Sequence, residues 1–253
     1  MNEALTDRKF WEDYWRSKPD LDVHIPADYT FSAQLSAIVH DQKPTTAIEL
    51  GGFPGYYAVF LRKYLAVKST LFDYFIERGI ISSLLKKNNL NDDVIEVIEG
   101  DLFSYVPEQR YDLVLSCGLI EHFDNTEEII KSHLAFLKPG GTLFITLPNF
   151  KAVNGWVQKR FDLHNFSKHN LASMDVEKLA AIAKKLGLAH VRCGYFGRFS
   201  VWLENKQEKK GWVKTLVKSI WILGKIATRV VPVESKSLSP YIILQGKLPD
   251  WAN

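Results

Sequence analysis

A chain of 253 residues, 46% hydrophobic and 24% charged, has the composition of an ordinary globular protein and the length for one large domain with insertions. Two cysteines, Cys117 and Cys193, exclude a disulfide framework, no apolar run reaches the roughly 18 residues of a membrane span, and the acidic N-terminus lacks a signal-peptide core, so a cytoplasmic protein is expected. The net charge of +3 divides unevenly, with 14 basic against 22 acidic residues in 1–150 and 18 against 7 in 151–253; one face should meet an anionic partner.

The predicted elements alternate between strand and helix. Residues 1–44 carry an aromatic helical segment, Phe10–Trp15, and form an N-terminal cap. Strand Thr46–Leu50 runs into a glycine-rich turn and helix Tyr56–Tyr64. Strand Thr70–Asp73, helix Glu77–Lys87, strand Val94–Ile98 and strand Asp112–Ser116 follow. Helix Thr126–Leu137 should stop at Lys138-Pro139-Gly140-Gly141, and strand Thr142–Leu147 comes next. Further on are helix Val176–Leu186, capped by Ser173 or Asp175, strand His190–Phe196, a strand near Phe196–Leu203 and a final strand Tyr241–Gln245. Such alternation gives a parallel sheet with helices on both faces. Two stretches, 149–172 and 204–239, break the rhythm and read as insertions, the first of them polar, aromatic and irregular.

Chemistry gathers where the first three strands end. The run Glu49-Leu50-Gly51-Gly52-Phe53-Pro54-Gly55 puts glycines where backbone must approach a ligand. Asp73 lies 22 residues past Gly51, the usual reach to the second strand tip, where a carboxylate can accept both hydroxyls of a ribose. Asp101, after the third strand, can accept from an exocyclic adenine amine. A nicotinamide dehydrogenase would need G-x-G-x-x-G, a spacing this turn lacks.

This ordered set resembles the S-adenosylmethionine-dependent methyltransferases of the Rossmann-like class. The glycine turn is similar to their first motif. Tyr111–Ser116 followed by Glu121-His122-Phe123 is similar to the fourth, and Leu137–Leu143 to the turn and fifth strand. The resemblance implies a doubly wound, mostly parallel seven-stranded sheet and S-adenosylmethionine as cofactor. It also implies cofactor contacts from Glu49, Gly51, Gly52, Gly55, Asp73, Asp101, Leu102 and Ser116. Phe53 departs from the pattern, standing where the family usually has its middle glycine. A non-catalytic partner subunit on the same fold is therefore an alternative to an enzyme.

Methylating an oxygen requires loss of its proton, and histidine suits that task near neutral pH. His122, His164 and His169 all follow strand ends. The preferred base is His169, with His122 second and Asp162 orienting the imidazole; no metal is assigned. The stretch Asn154–Asn170 is the expected acceptor lid, with Trp156, Phe161 and Phe166 able to cover a ring or sugar and Lys159, Arg160 and Lys168 able to meet a phosphate. Nucleobase methylation is disfavoured because Ser116-Cys117-Gly118-Leu119 replaces the Asn/Asp-Pro-Pro-aromatic turn of that branch, and no nucleic-acid partner is expected.

In the second insertion, Gly211–Val231 has helical periodicity. Lys210, Lys214, Lys218, Lys225 and Arg229 gather on one side, with Trp212, Leu216, Ile220, Leu223, Ala227 and Val230 opposite, ending at Pro232. Such a helix suits a membrane interface or a protein-packed face. Together the insertions suggest O-methylation of a sugar, a lipid-linked glycan or another small acceptor near a membrane; the Glu121-His122 pair also looks like that of ubiquinone-pathway O-methyltransferases, so a quinone precursor is the alternative.

Overall fold

The computed structural model describes residues 5–151, 153–204, 206–230 and 234–250. In chain order the elements are α1 (Arg8–Arg16), α2 (Ser32–Gln42), β1 (Thr46–Leu50), α3 (Tyr56–Leu65), β2 (Lys68–Asp73), α4 (Arg78–Lys87), β3 (Ile95–Glu99) and β4 (Tyr111–Cys117). They continue with α5 (Thr126–Ala135), β5 (Leu137–Pro148), α6 (Val153–Phe161), α7 (Leu163–Phe166), α8 (Val176–Lys185), β6 (Ala189–Phe196), α9 (Gly211–Val230) and β7 (Tyr241–Lys247).

Among the described residues, seven strands form one sheet in the order β3-β2-β1-β4-β5-β7-β6. β7 alone runs against its neighbours, pairing antiparallel with both β5 and β6. Strand order reverses between β1 and β4, and the crevice outside the carboxyl ends at such a reversal is where open α/β sheets bind ligands. The central strands read as continuous apolar runs because both faces are covered, one by a core around Phe60, Leu61, Leu71 and Phe144, the other by one around Ile48, Leu50, Ile130 and Leu143.

Three expectations need correction. Helix α5 ends at Ala135, and Leu137–Gly141 joins β5, where a register shift against β4 accommodates the Pro-Gly-Gly segment. Stretch 149–172 is not irregular throughout: 153–161 and 163–166 fold as α6 and α7. No strand forms over 197–203, because Gly197 leaves β6 at φ 88° and its N–H turns to Glu234. In α9 the buried stripe is Val213 and Val217, packed with Val157, Phe199, Val201 and Leu203, and Ile220 from the grouped apolar residues packs partly against them; Thr228 is also buried. Trp212, Leu216, Leu223 and Ala227 face outward; Pro232 lies outside the described residues.

Candidate active site

The turn after β1 is built from the strand outward. Glu49 is buried, and its Oε2 accepts the Ala58 N–H at 2.7 Å, tying the strand to the start of α3. A Cβ at Gly52 would overlap the Glu49 side chain, and Gly51 turns at φ 62°, so both glycines are required by the local backbone. Burial pushes the Glu49 carboxyl up to about 8, keeping it neutral beneath the turn. Glu49 thus shapes the turn and does not line the cavity beyond it. Phe53, in the place of the missing glycine, is also core. Its ring packs edge-on against Trp15 and Phe75 at 5.4 Å each, and its N–H donates to Asp73 Oδ2 at 2.8 Å.

A cavity of about 330 Å³ lies over the ends of β1, β2 and β4. Gly51, Asp73, Asp101, Leu102, Gly118 and Phe123 are among the residues lining it, and Trp11 and Trp15 of α1 cover it. Four predicted cofactor residues, Gly51, Asp73, Asp101 and Leu102, therefore meet at one place. Asp73 is buried, and its two oxygens accept from the backbone of Phe53 and Phe75. Each oxygen keeps a further lone-pair direction for a cavity occupant. Burial raises this carboxyl to about 6, with the backbone donors opposing the shift. Gly52, Gly55 and Ser116 are not on this wall. Ser116 faces the core, where its hydroxyl meets His133 Nε2 at 2.9 Å, a consequence of side-chain alternation along β4.

A second cavity, about 380 Å³, adjoins the first and shares Trp11, Trp15 and Gly118 with it. Its walls include Tyr29, Phe31, Phe150, Trp202, Tyr241, Glu121, His122 and His169. The histidines come from segments far apart in sequence. Asn170 joins them: its N–H donates to the Glu121 carbonyl at 2.6 Å, and its side-chain amide donates to the carbonyls of Phe123 and Asp124 at 2.9 Å. The rings of His122 and His169 end 4.7 Å apart. His122 Nδ1–H donates to the Lys168 carbonyl at 2.9 Å, and His169 Nδ1–H donates to the Asn165 carbonyl at 2.8 Å, so each ring keeps its lone pair at Nε2. Burial holds both imidazoles neutral, His122 down to about 3, and pushes Glu121 up to about 8.

Asp162 does not orient either histidine. Its carboxylate accepts from Lys209 Nζ at 2.8 Å and from the Glu204 N–H at 2.9 Å, fastening the lid to the second insertion. His164 is exposed and away from both cavities. Sequence reasoning missed Glu121 as a cavity residue; for the aromatic segment Phe10–Trp15 it left open closing over the pocket or packing on the sheet, and Trp11 and Trp15 line both cavities.

Comparison with known proteins agrees with this geometry. Residues 27–192 match the methyltransferase domain family, so the chain belongs to that family, within the S-adenosylmethionine-dependent methyltransferases of Rossmann-like fold. It is 25% identical over 172 residues to malonyl-acyl-carrier-protein O-methyltransferase of Priestia megaterium, a match spanning 68% of this chain and 60% of that relative. In fold it is similar to a putative sarcosine dimethylglycine methyltransferase of Galdieria sulphuraria, at TM-score 0.58 and 17% identity over 96% of this chain and 98% of that one. It is also similar to phosphoethanolamine N-methyltransferase 2 of Haemonchus contortus in complex with S-adenosyl-L-methionine, at TM-score 0.58 and 15% identity over 86% of this chain and 52% of that one. The residues of the first cavity fit such a cofactor: carboxylates at the tips of neighbouring strands, a bent glycine corner, and apolar Leu102 and Phe123 beside Asp101.

Proposed function

We propose that the protein is an S-adenosylmethionine-dependent methyltransferase acting on a hydroxyl of a sugar or other small acceptor held close to an anionic membrane surface. The observation that carries this reading is the common wall of the two cavities, Trp11, Trp15 and Gly118, which sets a nucleoside chamber beside a chamber holding neutral imidazoles. S-adenosylmethionine, when bound, supplies a methyl group on a sulfonium. The chain's share is alignment and proton removal. Asp73, Asp101 and Gly51 hold the nucleoside end, and Trp11 and Trp15 keep water from the junction. Nε2 of His169, with that of His122 second, takes the acceptor proton. Phe53 lends no weight to a non-catalytic protein, since its ring belongs to the core. The ring-rich acceptor walls favour one second reading, a phenolic quinone precursor.

Support for the membrane comes from the outer side of α9. Trp212 is 57% and Leu223 66% exposed, Ile222 and Ile226 are exposed too, and Lys214, Lys218 and Arg229 are exposed on another side of the same helix. Trp212 also meets the lid through Phe161, whose ring lies 5.9 Å from both Trp212 and Trp156. A helix that exposes both an apolar ridge and a row of basic residues suits the headgroup boundary of an anionic bilayer.

Calorimetric titration with S-adenosylhomocysteine tests the cofactor reading: saturable binding is expected, and no heat from it or from S-adenosylmethionine would refute the assignment. Flotation with phosphatidylserine vesicles tests the location. Lys214→Glu with Lys218→Glu should weaken binding by on the order of 1 kcal/mol per residue, and equal flotation of both proteins would remove the membrane from the proposal.

A further inference from the structure

Glu121, His122 and His169 each bring one ligand-type atom to within 4.8 Å of the other two, at the wall of the acceptor cavity. We infer that these three residues form a binding site for a single divalent transition-row cation. An ion so held would occupy the Nε2 lone pairs and replace the histidines as the means of deprotonating the acceptor, by lowering the pKa of its hydroxyl; that catalytic meaning rests on the proposed methyl transfer, and the binding of the ion does not.

Three observations point the same way. The first is the fixed tautomer of both rings. Each Nδ1–H is spent on a backbone carbonyl, Lys168 for His122 and Asn165 for His169, which leaves Nε2 as a lone-pair donor. Histidines that ligate metals are oriented by this kind of outer hydrogen bond. The second is Glu121. It is 1% exposed, and its Oε2 has no hydrogen-bond partner among the described residues. A buried carboxyl oxygen ordinarily finds a donor, and Lys168, which lines the same cavity, instead sets its ammonium over the Phe10 ring at 5.1 Å. The third is the way the trio is assembled. Asn170 clamps the lid to 121–124 through three hydrogen bonds, its N–H to the Glu121 carbonyl and its side-chain amide to those of Phe123 and Asp124, so His169 is held beside Glu121 and His122.

The spacing is close to that of a formed site. Two metal–ligand bonds of about 2.1 Å span at most roughly 4.2 Å, so side-chain rotation of under about 1 Å completes it. Two imidazoles and one carboxylate suit zinc, cobalt or iron better than magnesium or calcium, which take oxygen ligands. Three protein ligands leave coordination positions open toward the cavity. An oxygen of the acceptor would complete the set, which selects acceptors whose reacting hydroxyl can approach the ion.

Titration of the full-length protein with Co²⁺ alone, followed by calorimetry and by the visible absorption of the ion, tests this. One Co²⁺ per chain is expected, with affinity at least about tenfold weaker in Glu121→Gln and in His169→Gln. Absence of saturable uptake by the wild type would overturn the inference even if neither variant folds. Uptake undiminished in both folded variants would overturn it as well, assigning the cobalt to other histidines. Loss of S-adenosylhomocysteine binding alongside intact cobalt uptake would instead sink the methyl-transfer reading and leave the ion site standing.

Discussion

The nucleoside cavity is made of strand tips and the turns directly after them: Gly51 after β1, Asp73 ending β2, Asp101 after β3 and Gly118 after β4. The acceptor cavity draws its key groups from a turn after β4, a lid after β5 and residues near both ends of the chain. In the first, position follows from the sheet, and each residue needs only its own strand to be placed. In the second, position follows from hydrogen bonds such as those of Asn170, which couple segments 47 residues apart. On the proposed roles, cofactor binding is chiefly a property of the scaffold, with α1 as cover, whereas acceptor handling is a property of attachments. Substitutions in the two regions should therefore separate cleanly.

The largest expected effect lies on the acceptor side. His169→Ala should lower turnover by about 10²- to 10⁴-fold with S-adenosylhomocysteine affinity unchanged. The reciprocal change, Asp73→Asn, should weaken that affinity by about 1.5–3 kcal/mol, roughly ten- to a hundredfold, because one carboxylate acceptor becomes a donor among donors. Turnover assays at saturating cofactor and calorimetry on both variants check the pair. If His169→Ala lost cofactor affinity as Asp73→Asn does, the two regions would not be separable.

A smaller effect comes from Glu49 under the glycine turn. Its carboxyl keeps its proton up to about 8 in the folded protein, against 4.5 for an ordinary glutamate. Between those values the folded state binds more protons than the unfolded state, so stability falls as pH rises across the window. Glu49→Gln mimics the neutral carboxyl and should remove this share, at most about 1.4 kcal/mol per pH unit. Thermal melts from pH 5 to 8 would show a shallower decline in the variant; parallel curves would mean Glu49 carries no such proton.

Legibility in the sequence follows the same divide. β1 was readable to the residue, and the Gly51–Asp73 interval placed two cavity residues, because one strand–helix–strand unit has nearly constant length. Ser116 and Glu49 were placed on the wrong side: periodicity marks a strand but does not say which alternate face meets the ligand, and His133, partner of Ser116, lies on another element. Asp162 was paired with a histidine by proximity in sequence, while its actual partner, Lys209, belongs to the next insertion. For α9 the apolar residues could be grouped on one side, but whether that side meets protein or a membrane was not legible. Val213 and Val217, with Ile220 partly, pack on Phe199 and Leu203, and Gly224 lies so close to Phe199 that no side chain would fit. His122 and His169 were both candidates, yet their contact depends on Asn170, which carries no recognisable signal of its own.

Trp11 and Trp15 stand between the two chambers as a partition about one side chain thick. Any occupant that steadies α1 from one side lowers the entropic cost of seating a guest on the other. Each occupant then tightens its neighbour by one and the same factor, whichever arrives first.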